Sequence, residues 1–127
     1  MTSDLLDLMG RGFSFHDVIP LALSIEAAGR VILRLEDLNE NWADLPEYPG
    51  QQPGRLVFMN GTLQELHIDF AERSAIYDLT VQRMPNGRVQ AEIALWPSGI
   101  MKIECDQAIV ELEKTGAGIL PMFLKQH

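Results

Sequence analysis

Apolar and polar positions alternate along most of the chain, and residues 74–96 show the pattern most clearly: Tyr77, Leu79 and Val81, then Val89, Ala91, Ile93 and Leu95, all fall on odd positions. Strand side chains alternate between faces, so each run has one buried face, and the connection must return the second run to the same side as the first. A two-residue Asn86-Gly87 turn would pair Gln82 with Ala91 and fail. A three-residue loop, with Pro85 and Asn86 in a type I turn and Gly87 in the left-handed bulge position, pairs Val81 with Ala91, Leu79 with Ile93 and Tyr77 with Leu95.

The same arithmetic applies upstream. Leu21, Leu23 and Ile25 are answered by Val31, Leu33 and Leu35, again all odd, which predicts a three-residue Ala27-Ala28-Gly29 loop with Glu26 facing Arg30. Asn60-Gly61 is a two-residue turn signal, predicting a hairpin over 55–69, and the slip in parity between Leu63 and Leu66 predicts a bulge near Gln64-Glu65. Met101, Ile103 and Cys105 are odd and Ala108, Val110 and Leu112 even, a change that a two-residue Asp106-Gln107 loop would produce in a hairpin over 100–113. With the hairpins at 19–35 and 75–96, the chain reads as mainly β: an antiparallel meander of about eight strands forming a sandwich or half-barrel. Residues 3–9 read as one short helix, capped by Ser3 and stopped by Gly10, that covers an open end of the sheet. The apolar stretch within the tail, 115–127, is expected to pack on the domain or on another chain.

Residues 36–54 interrupt the alternation. Asp37, Glu40, Asp44 and Glu47 stand there with Trp42, Tyr48 and three prolines, and without a basic residue. So long a connection inside a compact domain is commonly a binding loop. Carboxylates would steer a basic partner and aromatics would anchor it, which makes Asp37, Glu40, Trp42, Asp44, Glu47 and Tyr48 the candidate partner-binding residues.

A length of 127 residues suits a single domain, and 46% apolar with 22% charged residues is an ordinary globular composition. Ten basic against eighteen acidic residues give a net charge of −8, which repels phosphate backbones and anionic lipid, so neither nucleic acid nor membrane is an expected partner. No apolar run approaches the roughly 18 residues of a membrane span, and Met1-Thr2-Ser3-Asp4 lacks the features of a signal peptide. A cytoplasmic location is the expectation. The single Cys105 reads as a small core residue.

Motifs for nucleotide, serine-hydrolase and zinc chemistry are missing from the sequence, and no cofactor or enzymatic activity is expected. His16-Asp17 and His67-x-Asp69 are the imidazole and carboxylate pairs that could form a metal or acid–base site if the fold joined them. Hydrogen bonding to nearby backbone is the expected role of the first pair, and a place on a strand face that of His67.

Phe15-His16-Asp17 opens the first hairpin, Leu56-Val57-Phe58 precedes Leu63-Gln64-Glu65-Leu66-His67-Ile68-Asp69-Phe70, and Ile76-Tyr77-Asp78-Leu79 follows. In this order, over about residues 5 to 112, the chain resembles small bacterial "FHD" proteins akin to the immunity-protein families of polymorphic and contact-dependent toxin systems. The resemblance implies a protein that binds a cognate toxin domain tightly and without turnover. The acidic loop would then face a basic toxin cleft, and no catalytic residue carries over. A small-ligand module with an apolar cavity between the sheets remains a second reading of the residues. An assembly protein that joins copies through a sheet edge and the apolar tail is a third.

Overall fold

The computed structural model describes residues 2–69 and 73–113, which form nine strands and one short helix in two antiparallel sheets. Strands β1 (Thr2–Asp4), β2 (Pro20–Ile25), β3 (Val31–Leu35), β4 (Gly54–Met59) and β9 (Gln107–Leu112) make one sheet in the order β1-β9-β4-β3-β2. The second sheet runs β5-β8-β7-β6, from β5 (Thr62–His67), β6 (Ala75–Arg83), β7 (Val89–Trp96) and β8 (Ile100–Cys105). The mainly β, two-sheet architecture follows the sequence pattern. Among the described residues, no helix is long and apolar enough to cross a membrane.

Both three-residue loops form as the parity requires. In the first, the Glu26 N–H donates to Arg30 O at 2.8 Å and the Gly29 N–H to Glu26 O at 3.0 Å, with Gly29 at φ 82°. In the second, Met84 N–H to Arg88 O is 2.7 Å, Gly87 N–H to Met84 O is 2.9 Å, and Gly87 has φ 85°. Val81 opposes Ala91 and Leu79 opposes Ile93, while Leu23 opposes Leu33 and Ile25 opposes Val31. The expected Glu26–Arg30 pair is present at 3.3 Å, and the bulge falls between Leu63 and Glu65.

Two expected hairpins are corners instead. β4 and β5 lie in different sheets, and so do β8 and β9. Asn60-Gly61 and Asp106 are the bends at which two long antiparallel strands pass together from one sheet to the other. Met59 opposes Gln107 before the corner, and Thr62 opposes Glu104 after it. A corner flips parity just as a two-residue loop does, because the inward side of the strand changes where the sheet folds over the core. Hydrogen bonds hold the bend. The Asp106 N–H donates to Met59 O at 2.9 Å, Asn60 Nδ2 to Asp106 Oδ2 at 3.0 Å, and Arg88 to both Asp106 Oδ1 (2.8 Å) and Asn60 O (2.9 Å).

Near the starts of β2 and β6 the registers slip. Pro20, not Leu21, opposes Leu35, and Ile76, not Tyr77, opposes Leu95. Each slip is a bulge on an edge strand, and each turns the residue expected inside, Leu21 or Tyr77, outward.

The helix also begins later than its sequence suggests. Residues 2–4 pair with β9, and α1 (Leu5–Gly10) is capped by Asp4, whose Oδ1 accepts from the Asp7 N–H at 3.0 Å. Leu5 and Leu8 are buried, and the helix packs against β6 of one sheet and β9 of the other, sealing that end of the core. Leu33, Leu35, Leu56 and Phe58 meet Leu79, Ile93, Met101, Ile103 and Cys105 between the sheets. The predicted packing of the tail lies outside the described residues.

Candidate binding surface

The long acidic connection is built as a rigid loop. Leu38 is fully buried, a contribution of about 1.5 to 3 kcal/mol, and it fits because residue 54 is glycine: a Cβ there would stand 2.5 Å from Leu38 Cδ1 and 2.9 Å from Glu111 O. Next to it, Asp37 Oδ1 accepts from the backbone N–H groups of Asn39 (2.9 Å) and Gln52 (3.0 Å), and Oδ2 accepts from the Tyr48 hydroxyl at 2.6 Å. Gln52 Nε2 donates to Pro53 O (2.8 Å) and Glu113 O (3.0 Å), tying the loop's end to the strand beside it. Residues Glu40–Trp42 form a single 3-10 turn, and Asn41 Nδ2 reaches across to Ser14 O at 2.7 Å.

These bonds separate the six candidate residues. Asp37 is 4% exposed, so its expected role as a partner contact is corrected: it organises the loop from within. Tyr48 is half-buried, and its hydroxyl is committed to Asp37; burial first, and Asp37 second, push its pKa above the ordinary tyrosine value. Asp44 and Glu47 are exposed at the loop's tip. Glu40 is half-buried, with its carboxyl held above the ordinary range by burial, then by Asp37 and Glu36; Asp17 adds to the effect and Arg73 opposes it. Trp42 closes the 3-10 turn, and its side chain lies outside the described residues.

Beside this loop stands a group that the sequence pattern left dispersed. Phe13 and Phe15 are buried edge-to-face at 4.9 Å between ring centres, and they pin the segment that follows. The Val18 N–H donates to Phe15 O at 3.0 Å, closing a turn in which Asp17 takes φ 71°. Asp17 N–H to Ile76 O and Ile76 N–H to Val18 O, both 2.8 Å, then stitch this turn to the start of β6. His16 consequently projects over Tyr77. Its Nδ1 donates to Tyr77 O at 2.8 Å, its Nε2 lies 3.4 Å from Asp17 Oδ1, and the two rings meet edge-on at 5.9 Å.

The result is a recess of about 390 Å³ lined by His16, Asp17, Ala75, Ile76, Tyr77 and Trp96. Tyr77 is 61% and Trp96 64% exposed. Trp96 sits at the end of β7 opposite Ala75, and the bulge supplies Tyr77. The signal for this site lies in the sequence as a conflict of parity: Ile76 is even, Leu79 odd, and only a bulge puts both inside. His16 and His67 line separate recesses, the latter with Leu66, Ile68 and Asp69 along the edge strand β5. Among the described residues, no three His, Cys, Asp or Glu side chains converge as metal ligands would.

Fold and surface together define a two-sheet antiparallel β domain with a braced acidic loop and an exposed aromatic recess. Compared with protein-family models, with curated proteins and with solved structures, the chain shows no match.

Proposed function

We propose that this chain is a non-catalytic binding protein that engages a basic protein partner through the surface formed by the acidic loop and the aromatic recess. The observation that carries the reading is the exposure of Tyr77 and Trp96 beside one recess that the Asp17 carboxylate also lines, with the acidic loop tied alongside through Asn41 and Ser14. Large aromatic groups left in water on a rigid frame are the usual anchors of protein interfaces, and carboxylates around them steer a cationic partner inward. Rigidity supports the same reading. A loop already braced by Leu38 and Asp37 loses little conformational freedom on binding. The resemblance to immunity proteins makes a toxin domain the first partner to try, neutralised in the cytoplasm by occupation of its cleft. The contact residues in this reading are Glu40, Trp42, Asp44 and Glu47, joined by Asp17, Tyr77 and Trp96, with Asp37 and Tyr48 as the brace behind them.

The test uses the polypeptide encoded beside this chain's own gene as the probe, with association measured at two salt concentrations. A Glu40→Gln, Asp44→Asn, Glu47→Gln triple variant is expected to associate about three- to tenfold more slowly and with a flatter salt dependence. Trp96→Ala is expected to act mainly on dissociation. No complex with that polypeptide, binding indifferent to both changes, or turnover of a substrate by the purified protein would each overturn the proposal.

A further inference from the structure

We infer that the recess between His16, Tyr77 and Trp96 is a subsite for one arginine side chain of the partner, its guanidinium stacked on the exposed aromatic surface and directed at the Asp17 carboxylate. The inference rests on the reading of this surface as one that binds a basic protein. It adds the chemical group recognised and the residues that recognise it.

Three features of the recess select this occupant. Half-buried Ala75 lines the recess together with Tyr77 and Trp96, which are more than half exposed, so it offers apolar surface to the methylene stem of a long side chain and ring surface to the cation. Aromatic faces attract cations, indole most strongly, and a guanidinium is planar and weakly hydrated, so it can stack on a ring while its edge N–H groups still reach an acceptor. An acceptor is at hand. Asp17 lines the same recess with its side chain 64% exposed, and its one described side-chain partner, His16, lies at the long distance of 3.4 Å.

The local charge is of the matching sign. Glu40 lies close enough to feel Asp17, Glu36 and Asp37 as repelling charges, and only Arg73 acts on it from the other side. Arg73 is itself paired with Glu36 at 3.1 Å. With Asp37 buried inside the loop, Asp17, Glu36 and Glu40 stand against the Arg73 guanidinium and leave a negative rim, on a chain whose net charge is −8. A second cation is the complement of that rim. An anionic or phosphate-bearing ligand would meet repulsion from it.

N-acetyl-arginine amide, a cation without the carboxylate of the free amino acid, serves as the probe, with N-acetyl-citrulline amide as its uncharged isostere. The readout is the indole N–H resonance of Trp96, assigned by its absence in Trp96→Phe, during titration of the intact chain. A saturable shift with the arginine compound is expected, with a dissociation constant in the tens of millimolar, weakening as salt is raised. Citrulline should give no saturable shift. Asp17→Asn and Tyr77→Ala, both at exposed positions, should each weaken binding by about two- to fivefold, the range of one exposed cation–aromatic or charge contact.

An arginine titration that leaves the Trp96 resonance unmoved, or an equal response to citrulline, overturns the subsite. If the neighbouring polypeptide still binds in either case, only the arginine assignment falls and the binding reading stands. If the polypeptide fails to bind while the arginine probe saturates, the partner reading falls and the subsite's chemistry stands.

Discussion

Replacing Asp37 tests whether the acidic loop is a braced structure or a solvated one. Its carboxylate accepts three hydrogen bonds, at 2.9 and 3.0 Å from the N–H groups of Asn39 and Gln52 and at 2.6 Å from the Tyr48 hydroxyl. Asp37→Ala removes all three and leaves two main-chain donors in a buried place, each costing about 1 to 3 kcal/mol if it stays unsatisfied. Some water will enter, and the half-buried Tyr48 hydroxyl is readily rehydrated, so a net loss of about 3 kcal/mol is expected. Against a total stability of about 5 to 15 kcal/mol this is severe but survivable. Urea unfolding should show it as a fall in midpoint of about 1.5 M at an unchanged slope near 2 kcal/mol per molar. Asp37→Asn keeps an oxygen for both N–H groups but turns an amide donor toward Tyr48, and about 1 kcal/mol should be lost. Tyr48→Phe should cost a similar amount, and the double variant should lose less than the sum. Hydrogen exchange at the Asn39 and Gln52 amides localises the effect. If Asp37→Ala unfolds within about 0.5 kcal/mol of the parent and leaves both amides protected, the brace is not real, and Asp37 returns to the candidate contacts.

The remaining expectations concern other parts of the frame. Gly87 has φ 85° with open space where a Cβ would go, so Gly87→Val should cost about 1 to 2 kcal/mol from backbone conformation alone. Gly54→Ala has no such conformational penalty, but its Cβ would collide with Leu38 and the Glu111 carbonyl, so a loss of about 2 to 4 kcal/mol in urea unfolding is expected. Tyr48 holds its proton more tightly in the fold than its ordinary value of 10.0; this stabilisation is therefore complete below pH 10 and lost as pH rises through the higher folded value. Unfolding midpoints from pH 9 to about pH 11.5 should fall in the parent, and Tyr48→Phe should lack that component. Burial pushes the Cys105 thiol up to about 11, so an aromatic disulfide reagent at pH 8 should react with it only as fast as the fold opens.

How far the sequence could be read is set by what alternation encodes. Apolar parity states which side of a strand is inside, and it fixed both three-residue loops because both strands of each hairpin stay in one sheet. A break in parity is less informative. Between Cys105 and Ala108 it reads equally as a tight turn or as a strand bending across a corner, and only the pairing of Met59 with Gln107 and of Thr62 with Glu104 decides for the corner. These partners are more than 40 positions apart, so no local pattern carries the information. Composition has a comparable limit: it marks residues 36–54 as acidic and aromatic, yet it does not distinguish Asp37, enclosed by three donors, from Asp44, which faces water.

The recess depends on the same kind of break. A regular register through β6 would have laid Tyr77 against Leu95 in the core and left the edge of the sheet without its ring. With one extra residue between Ile76 and Asp78, Ile76 takes the core position, and the Tyr77 side chain is released to the rim while its carbonyl accepts from His16. Asp17 is placed by a related departure, since an L-residue at φ 71° is less comfortable there than glycine, although aspartate is among the side chains that tolerate the left-handed region best. Glycine at 17 would relieve the backbone but remove the carboxylate from the recess. Two local irregularities, a bulge and a left-handed aspartate, thus bring an aromatic ring and a carboxylate to the same rim. The bulge also seats Ile76 in the core beside Leu79, and together the two irregularities shape a surface where, among the described residues, large aromatic groups stand exposed beside a carboxylate.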